Sequence, residues 1–230
     1  MPVHLQRALD ALRQQILVLG GRVEEAVWKA VQAFTEIDPE VAEQVVAADR
    51  EIDQMEVDVE EECLKILALH QPVAVDLRFI VAVLKINNDL ERIGDLAVNI
   101  SQRAVRISRH VRVEEPFDLT AMATVVQGML HDSLDALVNM DSAAARDVCR
   151  RDDEVDRRHR QIVDRAGTLV RERSEWFDGL VQIISVSGHL ERIADLATNI
   201  AEDVIYTVEG QIVRHGVDRR ATGEGPGRRE

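Results

Sequence analysis

The sequence predicts an all-α protein built from two copies of a three-helix unit, and three observations carry that prediction. Apolar residues recur at helical spacing along almost the whole chain. Aromatics are only 3% of the 230 residues, with five prolines and twelve glycines. That is too few for a β-sandwich, or for an all-β chain that must turn at short, regular intervals. Finally, residues 90–100, LERIGDLAVNI, return at 190–200 as LERIADLATNI, nine of eleven positions matching at an offset of 100. The 46% hydrophobic fraction is enough for a sizeable core, which Leu, Ile, Val and Ala must fill.

The first helix is read from Leu5, Leu9, Leu12, Ile16, Leu19, Val23, Ala26 and Ala30, spaced alternately four and three apart as an a/d seam. Gly20-Gly21 is where it is expected to kink. Asp38-Pro39 reads as an N-cap followed by proline at the first helical position. The second seam is Val41, Val45, Ala48, Ile52, Met55 and Val59, closed by Cys63 and Ile66, and His70-Gln71-Pro72 ends it. A third helix runs from about Val75 to Arg109 with Ile80, Leu84, Leu90, Ile93, Ala97, Ile100, Ala104 and Ile107 inward.

Glu114-Glu115-Pro116 breaks the pattern, and the second half repeats the plan. A helix from about Asp118 to Asn139 leads through a turn at Met140 to Ser142 into a long helix from Ala143 to Glu172. Arg173 to Gly179 interrupts, and a last helix continues to about Val213. At 1.5 Å per residue, helices of about 30 residues reach roughly 45 Å. The segment from Gly216 to Glu230 has too little apolar content to repay its ordering entropy and is expected to be a disordered tail. The domains are therefore 1–115, a first three-helix repeat, 116–215, a second, and 216–230, the tail.

Lys and Arg number 28 against 42 Asp and Glu, a net charge of −14. An acidic chain repels phosphodiester backbones, which excludes nucleic acid as a direct partner and suits cations or a basic protein instead. No stretch approaches the 18 or so apolar residues of a membrane span, and no apolar run follows a basic start. A soluble, cytoplasmic protein without direct membrane insertion is expected. Cys63 and Cys149, 86 residues apart, form no CxxC site and read as buried thiols in a reducing compartment. Trp28 and Trp176 read as packing residues.

The repeat carries the chemistry. Asp49 and Asp53 are i, i+4 on the second helix, so their carboxylates share a face one turn apart. Glu91 and Asp95 have the same spacing on the third, with Asn99 continuing the line. The second copy supplies Asp152 and Asp156, then Glu191, Asp195 and Asn199. With the helices antiparallel, four carboxylates converge in each half. Two carboxylates about 5 Å apart repel by roughly 3 kcal/mol at an effective dielectric near 20. The patch must take up protons, arginines or metal, and an all-oxygen donor set suits hard cations or carboxylate-bridged iron and manganese. One acidic i, i+4 pair is ordinarily a solvated helix face. Two pairs beside apolar seams, repeated in both halves, point to metal. Arg92 and Arg192 are the competing ion-pair partners, while His70, His159 and His189 read as structural.

QPVAVDLRFIVAVLKINNDLERIGDLAVNI (71–100) and HLERIADLATNIAEDVIYTVEGQIVRH (189–215) resemble the two halves of the PhoU family of bacterial phosphate-transport regulators, over residues 3 to about 215. The resemblance implies two pseudo-symmetric antiparallel three-helix bundles, commonly as a homodimer, with metal ions or iron clusters on the (E/D)xxxD surface. Carried over by position, the metal ligands are Asp49, Asp53, Glu91 and Asp95, then Asp152, Asp156, Glu191 and Asp195, with Asn99 and Asn199 as further ligands or supports. The metal, whether iron, manganese, zinc or magnesium, is not specified by the sequence. The resemblance further implies negative regulation of the phosphate-starvation response, through the phosphate ABC transporter and a sensor histidine kinase at the inner face of the membrane.

The alternative is a carboxylate-bridged di-metal oxidoreductase in a helical bundle, which needs ExxH motifs. Only Asp156-Arg157-Arg158-His159 approximates one, in a single copy. The two patches are also expected to be unequal. Residues 49–62 sum to −7 and residues 152–165 to −1. Arg160, four residues after Asp156, is placed to fold back on the Asp156 carboxylate, which favours the first patch for cations.

Overall fold

The computed structural model describes residues 3–114 and 116–210. Six helices follow one another: α1 Val3–Glu36, α2 Pro39–His70, α3 Ala74–Ile107, α4 Leu119–Asn139, α5 Ser142–Glu172 and α6 Phe177–Glu209, with a 3₁₀ turn at Ser174–Trp176 before the last. The expected tail, 216–230, lies outside the described residues.

Local chemistry explains the helix ends. The Asp38 carboxylate accepts from the main-chain N–H groups of Glu40 and Val41 at 2.9 and 3.1 Å, with Pro39 opening α2. Asp141, 103 residues on, caps α5 in the same way through Ala143 and Ala144 at 2.9 and 3.0 Å. Asp118 caps α4. Gln71, Met140 and Gly210 adopt the left-handed conformation after α2, α4 and α6, each turning its N–H back onto the preceding helix. The last helix therefore ends at Glu209, and the remainder of its expected span, 211–213, lies outside the described residues. The break before α6 is also shorter than expected, because 174–176 form a 3₁₀ turn that runs directly into it.

α1 does not break at Gly20-Gly21. Gly21 has open space beside it, whereas a Cβ on Gly20 would lie 2.3 Å from Cδ1 of Leu134 on α4. The first glycine permits a close approach between the two halves. In each half, three helices pack around an aliphatic core, and the halves meet along α3–α6 and α1–α4. α3 and α6 run antiparallel: Arg78 Nε donates to the Thr207 carbonyl at 3.1 Å, Lys85 pairs with Asp203 at 2.8 Å, and Arg103 reaches Gln182 at 3.5 Å.

Trp176 is buried, but Trp28 is 45% exposed and is not a packing residue of this core. Cys63 is buried and Cys149 half-buried. Burial pushes their thiols up to about 12 and about 11, so both stay protonated at neutral pH.

Candidate functional site: two carboxylate patches and the groove between them

The first patch lies where α2 packs on α3, and the second where α5 packs on α6. Gly94 on α3 helps the first contact, since a Cβ there would stand 3.3 Å from Ile52 and 3.6 Å from Asp49 Oδ1. The carboxylates feel one another across the helices. Asp49 is raised above the usual carboxylate range by partial burial, then by Asp53 and Asp95. Glu91 is raised by burial and by Asp95, Asp53, Glu56 and Asp49. In the second patch Asp152 is pushed up to about 6 by burial, with Asp195, Asp156, Asp153 and Glu191 adding repulsion. Burial and Asp195 raise Glu191, and burial and Asp156 raise Asp195, in both cases against the pull of Arg192. All eight carboxylates thus belong to two mutually repelling groups.

The donor set suits a hard cation by its chemistry. By distance it is not assembled: among the described residues, no three His, Cys, Asp or Glu side chains stand close enough together to hold a metal ion. Like charges repel, and a cation would have to draw these side chains together.

The arginines behave differently from expectation. Arg92 pairs with Asp89 at 3.2 Å rather than with Glu91 or Asp95. Among the described residues Arg192 makes no ion pair. Arg160 donates to the main-chain carbonyl of Asp156 at 3.3 Å, not to its carboxylate, so it is not the counter-ion proposed for the second patch.

Sequence reasoning missed a polar link beside each patch. Buried Asn87 on α3 donates to the Glu56 carbonyl at 2.8 Å and to its carboxylate at 3.1 Å. In the second half the equivalent positions hold Ser187 and His159, whose Oγ and Nδ1 are 2.9 Å apart. The offset of 100 carries 87 to 187, and the offset of 103 that relates Asp49 and Asp53 to Asp152 and Asp156 carries 56 to 159, so the signal was present, hidden by the change of residue type. Both ring nitrogens of His189 are buried without a partner, and burial, with Arg103 and Arg192 nearby, lowers its pKa to about 4.

Between the patches, α3 and α6 leave a groove of about 450 Å³ lined by Arg92, Asp95, Leu96, Asn99, Arg192, Asp195, Leu196 and Asn199. Asp95 and Asp195 belong both to the groove and to their own patches. The two patches therefore open on one face, in the order α2, α3, α6, α5.

The PhoU domain family matches this chain twice, at residues 16–104 and 119–204, one match on each three-helix unit. The phosphate-specific transport system accessory protein PhoU homologue of Pseudomonas putida is 37% identical over 217 residues, covering 94% of this chain and 85% of that protein. The corresponding protein of Escherichia coli is 34% identical, covering 90% and 86%. Among solved structures, PhoU from Pseudomonas aeruginosa superposes with a TM-score of 0.86 at 37% identity, covering 90% of this chain and 99% of that one. The phosphate transport system regulatory protein PhoU from Streptococcus pneumoniae gives 0.84 at 30% identity, covering 91% and 99%.

Proposed function

The chain belongs to the PhoU family, and from that premise we propose that it is a metal-binding regulator of phosphate uptake, one that holds the phosphate-starvation response down when phosphate is plentiful. The carrying observation is that each three-helix unit is matched by the PhoU domain, and that relatives alike over nine-tenths of the chain are named accessory proteins of phosphate-specific transport. An accessory role in transport is what those names support. Action through the phosphate ABC transporter and a sensor histidine kinase is the finer reading. The names describe accessory proteins rather than enzymes, which leaves the di-metal oxidoreductase without support.

In this reading the cations sit on Asp49, Asp53, Glu91 and Asp95 in one half and on Asp152, Asp156, Glu191 and Asp195 in the other. Bound metal would supply charge neutralisation, and it would stabilise the folded chain by mass action. The mutual repulsion within each patch is the physical support for it. Among the described residues no helix is long and apolar enough to cross a membrane. The resemblance to the PhoU family is what supports a cytoplasmic homodimer that reaches the inner face of the membrane by docking on its partners.

The test is a clean deletion in a strain without a second copy. Phosphate-uptake genes should be derepressed in phosphate-rich medium, and unchanged expression would overturn the regulatory reading.

A further inference from the structure

We propose that the groove between α3 and α6 is a binding site for a protonated tetrahedral oxyanion, inorganic phosphate, held across the pseudo-twofold axis that relates the two halves. Four positions on each helix line it, and each holds the same residue type in both copies: Arg92 and Arg192, Asp95 and Asp195, Leu96 and Leu196, Asn99 and Asn199. The arginines and aspartates are exposed, so the fold does not dictate them. Other equivalent positions have diverged, as Glu56 and Asn87 against His159 and Ser187 show. Both copies therefore present the same donors and acceptors to the groove.

The lining is chemically specific. Among the described residues Arg192 has no ion pair and the Asn99 and Asn199 amides have no hydrogen-bond partner. Arg92 uses one terminal nitrogen on Asp89, at 3.2 Å, which leaves the rest of its guanidinium free. Guanidinium and amide N–H groups are the donors that oxyanions select. Asp95 and Asp195 would repel a fully deprotonated anion but can accept a hydrogen bond from a P–OH group. Phosphate carries at least one such proton at neutral pH, whereas sulfate carries none and would leave the carboxylates facing bare oxygens. A groove that mixes arginine donors with carboxylate acceptors thus recognises phosphate and discriminates against sulfate. The choice of phosphate among protonated oxyanions rests on the function proposed above.

Equilibrium dialysis of the full-length protein against labelled inorganic phosphate tests this, with Arg92→Gln/Arg192→Gln as the variant and sulfate as the competitor. The parent should bind phosphate with a Kd at or below about 1 mM. Sulfate should compete at least about 10-fold more weakly, since it cannot satisfy the carboxylates. The double variant should lose about 10-fold or more in phosphate affinity at unchanged metal content and unchanged helicity. No binding by the parent, equal competition by sulfate, or undiminished affinity in the variant would each overturn the site. If the deletion strain is derepressed while the parent protein binds no phosphate, this site falls and the regulatory reading stands.

Discussion

At Asp152 partial burial and four neighbouring carboxylates raise the pKa to about 6. The folded chain then holds that proton more tightly than the unfolded chain, whose aspartate titrates near 3.9. Without metal, stability should therefore fall as pH rises from about 4 to about 6 and level off above that. Asp152→Asn should remove part of the decline, gaining on the order of 1 kcal/mol over the parent at neutral pH, the shift being discounted because the side chain is only half-buried. Denaturant melts of chelator-treated parent and variant across this range check it, and parallel profiles would remove Asp152 as the source. The same repulsion governs metal. Replacing Glu91 by Gln and Asp95 by Asn keeps shape while removing two charges. Bound metal, by elemental analysis, should fall, and the metal-free variant should be as stable as the parent or more so. Equal metal content in both proteins would refute these ligands.

Within α1, two adjacent glycines make opposite predictions. Gly21 has open space beside it, so Gly21→Ala should stabilise by roughly 0.5–1 kcal/mol through helix propensity alone. Gly20→Ala gains the same propensity but drives a methyl into Leu134, which is buried at the contact with α4. Overpacking typically costs about 1–3 kcal/mol, so the net effect should be a destabilisation of about 1 kcal/mol. Thermal melts of the two variants should move in opposite directions, and a Gly20→Ala protein as stable as Gly21→Ala would mean that α1 and α4 do not meet there. The start of α2, by contrast, was readable in advance. Asp38-Pro39 caps through its own neighbours, and that contact does not depend on the rest of the fold.

For the molecule as a whole, antiparallel packing of α3 on α6 sets both acidic patches on one face, with Arg92 and Arg192 between them. A chain of net charge −14 is repelled as a whole by an extended anionic lipid surface. The purified protein should stay at the bottom of a flotation gradient with protein-free anionic vesicles. Co-flotation would show a membrane affinity that needs no partner.

The sequence alone determined the six helices, the Asp38 cap and the membership of each carboxylate in an i, i+4 pair, because all of these depend on residues within a turn or two of one another, and it showed the internal repeat directly. It could not show that Trp28 faces outward, that Gly20 meets Leu134, or that Arg160 turns to a carbonyl instead of a carboxylate. Those outcomes, the Asn87–Glu56 link and the groove shared by Asp95 and Asp195 were decided by tertiary structure. Helical periodicity says which face of a helix is apolar. Which polar edge meets which partner is set by packing between helices far apart in sequence, where small residues allow close approach and like charges must be separated or neutralised.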